Sequence, residues 1–399
     1  MFEDLNRRLA ALLVEVGANV QAGQVVGINA EPAAAPVVHE LVRACYARGA
    51  LFVDVFYFDP AVKRVRLELA AEDTLDYVPP WYADRLIGLG ELQAARIALH
   101  PIVPPGALAG IDPARAGRDA LPSLKEGFEV INAGSTNWCV GPSPTVGWAR
   151  LVYPALEPAE ALARLWEDLV HVLRLDEPDP AAAWRERFAT LAEVGGRLTE
   201  RRFDAVQFEG PGTDLTIGLL PGSIFEGGAH TTAWGLEYGP NLPTEEVTSA
   251  PDPTRADGVV AATKPLDMGG TVVDGLRVRF EGGSAVQIVA DANAEALRAR
   301  CARDEGAARL GEVALVDRAG RIGPLDRVFF NTLLDENAAS HLAFGNAYET
   351  CVDDEGSKAR LNRSAIHLDF MIGSNDVAVT GITASGERVP VLRGGSWQL

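Results

Sequence analysis

The chain has 399 residues, 47% of them hydrophobic and 23% charged, which is typical of a soluble globular protein with a complete core. Its 36 Lys and Arg against 55 Asp and Glu give a formal net charge of -19, and so acidic a surface disfavours a nucleic-acid partner. No apolar run reaches the roughly 20 residues that a membrane-spanning helix needs, which argues against a membrane protein.

The N-terminus and the cysteines both indicate the cytoplasm. Residues 1–8 are amphipathic rather than a basic patch followed by an apolar block, so no secretory signal is predicted. The four cysteines are scattered without a CxxC pair, which is typical of reduced thiols rather than of a disulfide framework. We therefore predict a cytoplasmic protein.

The first 200 residues carry the pattern of an α/β domain. Apolar residues at helical spacing predict a helix over 3–16, and a short apolar strand follows at 25–28. A helix over 34–48 and an alternating strand over 51–58 complete the order of a parallel βαβ unit. Further strands are predicted at 94–99 and 128–131. No GxGxxG follows the first strand, so a dinucleotide site has no support.

Two more helices precede a predicted domain boundary. They cover 159–175 and 181–194, and Gly195-Gly196 is expected to end the second. The length also favours more than one domain. We predict an N-terminal domain over 1–200 and a C-terminal catalytic domain over 201–399.

From residue 203 the pattern becomes one of β-strands. Strands are predicted at 206–208 and 215–219, a hairpin at 276–280 and 285–290, and a helix over 292–302. Later strands are predicted at 313–316, 328–330, 366–372, 377–380 and 389–392. The predicted fold class is α/β, with parallel βαβ units in the N-terminal domain and a sheet-dominated α+β C-terminal domain.

The side chains that suit a metal site are concentrated after residue 240. His367 and Asp369 are two apart on a predicted strand, so both side chains leave the same face. A His and a carboxylate on one face suit a metal, and a buried His bonded to a neighbouring Asp would show the same spacing. Both interpretations stay open for this pair alone.

Three further segments supply candidate ligands. Asp335 is predicted to cap a helix over 336–348, on which His341 and Tyr348 share a face. Glu312 begins an apolar strand, where a carboxylate serves either a site or a solvated edge. Glu245 and Glu246 lie on an extended segment and point opposite ways. One of them can bind metal while the other accepts a proton or faces water.

Hydrolases of other classes lack support. The chain contains no GxSxG, no Cys with a nearby His and Asn signature, and no HExxH. His39, His100 and His171 have no acids clustered around them in the sequence, and we predict that they are structural.

Four segments, in one order, resemble the M29 metallo-aminopeptidase family. They are 241–247 (Asn-Leu-Pro-Thr-Glu-Glu-Val) with Ala250-Pro251-Asp252, 311–315 (Gly-Glu-Val-Ala-Leu), 330–341 (Phe-Asn-Thr-Leu-Leu-Asp-Glu-Asn-Ala-Ala-Ser-His) and 367–374 (His-Leu-Asp-Phe-Met-Ile-Gly-Ser). The N-terminal half fits the family in length and in its α/β first domain but carries no motif as specific. Four blocks in one order are much stronger evidence of family membership than any one pair of residues.

The resemblance implies an aminopeptidase that acts on peptides with two divalent metal ions, commonly zinc, cobalt or magnesium. It also implies a homodimer that encloses the active site. Tyr348 falls on the family's tyrosine beside the metals, and Glu245 would be the general base. Carried over to matching positions, the metal ligands would be Glu246, Glu312, His341, His367 and Asp369, with Glu312 as the bridge.

The chain departs from the family pattern at a few positions. Thr248-Ser249 stands where an aromatic residue followed by Thr is usual, and Leu236 replaces an expected Arg before Glu237. We predict that none of these positions touches a proposed ligand. They would affect the preference for substrate side chains rather than the metal site.

Two alternatives to a peptidase stay open. His341, His367 and Asp369 alone would form a 2-His-1-carboxylate set for a single Fe(II), as in ring-cleaving dioxygenases related to this family. The additional acids Glu246 and Glu312, which a mononuclear iron site does not need, favour the two-metal peptidase. The third possibility is a metal-free binding or scaffold protein with the same fold.

Overall fold

The computed structural model describes residues 2–99, 107–108, 110–119, 121 and 124–399. The chain divides into two compact units: Met1–Ala189 with Ala229–Thr244 and Phe329–Leu333, and Thr190–Gly228 with Glu245–Val328 and Leu334–Leu399. Each unit collects segments from several parts of the chain. The predicted domains 1–200 and 201–399 stay a prediction.

A four-stranded parallel sheet organises the first unit, in the order β2-β1-β3-β4. A helix follows β1 and another follows β2, which is the βαβ order that the sequence predicts, and the predicted α/β fold class is confirmed. The strands are β1 (Val25–Ala30), β2 (Phe52–Tyr57), β3 (Ala95–Leu99) and β4 (Asn137–Gly141).

The helices of this part of the chain correct two predictions. Residues 128–131 form no strand and lie in a helix, because a short apolar run fits either element. The helix predicted to end at Gly195-Gly196 continues to Glu200. The helices are α1 (Phe2–Leu12), α2 (Ala35–Ala47), α3 (Pro60–Leu69), α4 (Pro80–Glu91), α5 (Pro113–Arg118), α6 (Lys125–Asn132), α7 (Val146–Val152), α8 (Pro158–Val172) and α9 (Pro180–Glu200).

A glycine is needed at position 195 of α9 for a packing reason that the sequence does not reveal. A Cβ at Gly195 would lie 2.6 Å from the carbonyl oxygen of Phe225. The glycine therefore permits a close approach of two chain segments rather than ending the helix.

Two antiparallel sheets dominate the second unit. One has eight strands in the order β15-β14-β11-β6-β5-β19-β20-β21, and the other has five in the order β18-β17-β16-β10-β7. The strands after β4 are β5 (Ala205–Gly210), β6 (Thr213–Leu219), β7 (Glu226–Gly227), β8 (His230–Thr231), β9 (Glu237–Tyr238), β10 (Glu246–Ser249), β11 (Pro251–Ala261), β12 (Leu266–Asp267), β13 (Val272–Val273), β14 (Arg277–Glu281), β15 (Ser284–Val289), β16 (Leu310–Val316), β17 (His341–Gly345), β18 (His367–Met371), β19 (Ala378–Ile382), β20 (Arg388–Arg393) and β21 (Ser396–Trp397).

Two further predictions in the C-terminal half are wrong. Residues 328–330 form no strand in the structure. The helix predicted over 336–348 is also absent from these described residues, because a short helix ends at Glu336 and strand β17 begins at His341. The remaining helices are α10 (Ala294–Cys301), α11 (Thr332–Glu336) and α12 (Glu355–Lys358). Among the residues that the structure describes, no helix is long and apolar enough to span a membrane.

Candidate metal centre

The five-stranded sheet separates apolar side chains from ionisable ones. Directly paired residues of an antiparallel sheet point to the same face, and successive residues alternate between faces. One face carries apolar residues that are fully buried in the core: Val247, Val313, Leu315, Leu342, Phe344 and Phe370. The alternate positions on β10, β16, β17 and β18 hold Glu246, Glu312, His341, His367 and Asp369.

His341 lies on a strand, and its side chain lies on the face that carries the ionisable residues. β17 pairs with β16 on one side and with β18 on the other, so His341 stands opposite Ala314 and Met371. These pairings override the local helical preference of the alanines that precede His341. Tyr348 follows the strand, and its ring centroid lies 5.1 Å from that of His367. The predicted helical spacing of His341 and Tyr348 therefore plays no part in the site.

The five predicted ligands meet in two groups that share Glu312. In the first group, His341 Nε2 lies 3.2 Å from Glu246 Oε2 and 4.0 Å from Glu312 Oε1. In the second, His367 Nε2 lies 3.1 Å from Glu312 Oε2 and 3.2 Å from Asp369 Oδ1. Glu312 thus presents one carboxylate oxygen to each group.

Backbone carbonyls fix the orientation of both imidazoles. His341 Nδ1 lies 2.9 Å from the carbonyl oxygen of Glu336, and His367 Nδ1 lies 2.8 Å from that of Asn346. A carbonyl oxygen only accepts hydrogen bonds, so Nδ1 donates in each ring. In the neutral ring the Nε2 lone pair then faces the carboxylates. Metal-binding histidines usually have this arrangement, in which the second ring nitrogen is held by a hydrogen-bond acceptor.

Burial and neighbouring charges shift the pKa values of Glu246, Glu336 and His341. Burial raises the pKa of Glu246 to about 7; Glu312 and Asp369 add to the shift, and His341 opposes it. Burial also raises the pKa of Glu336 well above its ordinary value, and Asp369, Glu246 and Glu312 add to that shift. Burial lowers the pKa of His341, but the neighbouring carboxylates raise it by more.

The charge of the two groups and their donor atoms fit a divalent cation. In the part of the chain that the structure describes, Glu246, Glu312 and Asp369 form ion pairs with the two imidazoles and none with Lys or Arg. The negative charge that three carboxylates can carry therefore exceeds the positive charge that two imidazoles can supply. Carboxylate oxygens and imidazole nitrogens are the donors that zinc and cobalt accept readily.

Glu245 lies outside both groups. Its backbone N–H donates to Asn337 Oδ1 at 2.7 Å, and its carboxylate Oε1 accepts a hydrogen bond from the backbone N–H of Arg321 at 3.2 Å. The side chain is fully buried. The predicted role of Glu245 as the general base stays a prediction.

Two side chains of the site were missed. Glu336 is half-buried at the end of α11, and its pKa responds to Asp369, Glu246 and Glu312. Its place five residues before His341, inside one of the family-like segments, was the available signal. Thr248 donates its hydroxyl to Glu312 Oε1 at 2.5 Å. The prediction that the departure at Thr248 touches no proposed ligand is therefore wrong.

The described histidines of the N-terminal half lie outside both metal groups. His39 is exposed on α2, and His171 Nδ1 lies 3.3 Å from Asp176 Oδ2. His100, also predicted to be structural, lies outside the described residues.

Known proteins resemble this chain over nearly its whole length. The family model described as thermophilic metalloprotease (M29) matches residues 2–397. Aminopeptidase T of Thermus thermophilus is 42% identical over 398 residues, which cover 98% of this chain and 97% of that protein. Aminopeptidase 2 of Geobacillus stearothermophilus is 36% identical over 400 residues, which cover 98% and 97%. The solved structure of wild-type AmpT from Thermus thermophilus matches with a TM-score of 0.90 at 41% identity and covers 100% of both chains.

Proposed function

Since this chain belongs to the thermophilic metalloprotease (M29) family and is a hydrolase of the aminopeptidase type, we propose that it removes N-terminal residues from peptides at a site for two divalent cations. The observation that carries this proposal is the position of Glu312, whose two oxygens face separate groups of donors. Glu246 and His341 would hold one ion, His367 and Asp369 the other, and Glu312 both.

Zinc, cobalt and magnesium are the candidate ions. A pair of such ions, held by these residues, would supply polarisation of the scissile carbonyl and a lower pKa for a bound water, toward about 7. The imidazoles suit zinc and cobalt better than magnesium, which prefers oxygen donors. The backbone carbonyls that hold His341 and His367 would keep both Nε2 atoms in place without rearrangement.

A carboxylate of this chain would accept the proton of the attacking water. The sequence predicts Glu245 for this role, and Glu336 is the second candidate. Burial raises the pKa of Glu336, and the charges of the ligand carboxylates raise it further, which indicates that Glu336 lies close to them. This nearness favours Glu336, because a base must lie near the reacting water. The hydrogen bond from Arg321 to the Glu245 carboxylate occupies one of that group's two oxygens.

Tyr348 is proposed to stabilise the negative charge that develops on the carbonyl oxygen. Burial raises the pKa of its phenol, with Glu312 and Asp369 adding and His367 opposing. The phenol therefore stays protonated at neutral pH and can donate a hydrogen bond. Its ring lies beside His367, at the edge of the second ligand group.

The iron dioxygenase alternative is not supported. The relatives named above are aminopeptidases. Glu246 and Glu312 are also additional to the two histidines and one carboxylate that a mononuclear iron site needs.

Homodimer formation and a cytoplasmic location are further parts of the proposal. The dimer is carried over from the family resemblance, and the first unit exposes several large apolar side chains that a second copy could cover: Leu51, Phe52, Leu69, Trp81 and Leu92. Light scattering of the purified protein would test the dimer, and cell fractionation the location.

A panel of aminoacyl fluorophores tests the proposed activity. We expect release from substrates with a free α-amine, little release from their N-acetylated analogues, loss of activity with a chelator, and recovery when zinc, cobalt or magnesium is returned. Equal cleavage of the acetylated analogues, or activity that a chelator leaves unchanged, would contradict the proposal.

A further inference from the structure

The hydroxyl of Thr248 is bonded to the carboxylate that the two ligand groups share. Thr248 lies two residues after Glu246 on β10, so both side chains lie on the same face of the five-stranded sheet. Thr248 Oγ1 lies 2.5 Å from Glu312 Oε1. An ionised carboxylate only accepts hydrogen bonds, so the threonine donates.

This hydrogen bond restrains the group whose orientation matters most in the site. Oε1 of Glu312 faces His341, and Oε2 faces His367. The last torsion of a glutamate side chain has a broad energy minimum, so the carboxylate can turn about its final bond unless a partner holds it. A donor fixed on Oε1 keeps this oxygen directed at the group of Glu246 and His341.

The donor itself is held in a rigid position. Threonine is branched at Cβ, which restricts its first side-chain torsion. Its backbone lies in the interior of the sheet, paired with Ala314 on β16 and with Glu226 on β7. Glu312 is 5% exposed, so water competes little for the same oxygen.

We propose that Thr248 is a positioning residue that sets how strongly the group of Glu246 and His341 binds its cation. The hydroxyl uses one lone pair of Glu312 Oε1 and leaves the other available to a cation. The inference rests on the proposed two-cation function. It predicts an effect on one ion and not on both, because the oxygen that faces His367 and Asp369 makes no bond to Thr248.

Metal titration of the metal-free protein tests this role. Thr248→Val keeps the shape and removes the donor, whereas Thr248→Ser keeps the donor. We expect wild type to bind two zinc ions per chain, and Thr248→Val to bind one as tightly as wild type and the other about tenfold or more weakly. Thr248→Ser should stay within about twofold of wild type. The turnover lost by Thr248→Val should return when excess zinc refills the weakened position.

Thr216→Val is the matched control. Thr216 also lies in the interior of an antiparallel sheet, on β6 between Gln207 and Asp257, and this is the eight-stranded sheet rather than the one that carries both ligand groups. This variant should bind zinc as wild type does. If Thr248→Val does not fold, Thr248→Ala removes the same donor and should show the same loss.

Three results would overturn the inference. Unchanged binding of both ions by folded Thr248→Val would show that the hydroxyl has no such role. Equal weakening by Thr248→Val and Thr248→Ser would assign the effect to packing. A wild-type chain that binds none of zinc, cobalt and magnesium would overturn the proposed function and, with it, the role of Thr248, whereas the first two results leave the proposed function intact.

Discussion

The parallel sheet of the first unit and the five-stranded sheet of the second both carry ionisable side chains, but their charges are balanced in different ways. In the first unit, Arg85 on α4 reaches β2 and β1: its Nε lies 2.6 Å from Asp54 Oδ2, and its Nη1 lies 3.2 Å from Asn29 Oδ1. In the second unit, the described partners of Glu312 and Asp369 that carry positive charge are imidazoles.

The contrast distinguishes an ion pair that stabilises the fold from carboxylates that are available to bind cations. The Arg85 guanidinium and the Asp54 carboxylate carry opposite charges that neutralise each other. The metal centre holds more carboxylates than imidazoles, and holding negative charge in a buried place is costly unless a cation joins it. The second sheet therefore has an incomplete charge balance that bound ions would complete.

Glu312→Gln should have the largest effect, because it removes the charge that both ligand groups share. We expect a loss of about 10³-fold or more in kcat/KM for a leucyl fluorophore, equivalent to about 4 kcal/mol. The amide keeps the size of the side chain, so the variant should fold. Unimpaired turnover would rule out the shared role of Glu312.

Glu336→Gln and Glu245→Gln form a matched pair that identifies the general base. With metal content unchanged, we expect Glu336→Gln to lower kcat about 10²- to 10³-fold and Glu245→Gln to lower it less than about tenfold. The reverse order would restore Glu245, which the sequence predicts, to that role. Turnover at saturating substrate and elemental analysis of each variant give the answer.

Glu246→Gln should change how the stability of the metal-free protein depends on pH. The pKa of folded Glu246 is about 7 against an ordinary 4.5. Between these values the folded state binds more protons than the unfolded state, so the free energy of unfolding falls as pH rises, by up to about 3 kcal/mol. Glutamine does not ionise, and the variant should lack this part of the slope. Urea unfolding in chelator at several pH values measures it, and equal slopes would contradict the effect.

Asp54→Asn should have the smallest effect, because it alters the balanced region. Arg85 and Asp54 are partly exposed, so we expect a loss of under about 1 kcal/mol in the free energy of unfolding. Metal content and kcat/KM should stay at wild-type values. A loss of bound metal in this variant would remove the distinction between the two sheets.

The local sequence pattern was sufficient to predict the strand that carries His367 and Asp369. His367 and Asp369 alternate with Leu368 and Phe370, and this alternation predicted the strand β18 and the common face of the two polar residues. A continuous apolar run, 313–316, predicted the second half of β16, which also carries Glu312.

The positions of His341 and Thr248 in the site depend on pairing between strands that are distant in the sequence. His341 was assigned to a helix because its neighbours favour one, whereas the strands on either side of β17 make it a strand. The Thr248–Glu312 hydrogen bond joins residues 64 positions apart and depends on the register of β10 against β16. The register shifts between Leu310 and Glu312, where β16 pairs with β17. No local pattern specifies such a register.

The metal content of the purified, dialysed protein tests the central claim most directly. Elemental mass spectrometry should find two divalent ions per wild-type chain and fewer in Glu312→Gln. A wild-type chain that retains no divalent ion, and whose thermal unfolding a chelator leaves unchanged, would contradict the claim that cations complete the charge balance of the five-stranded sheet.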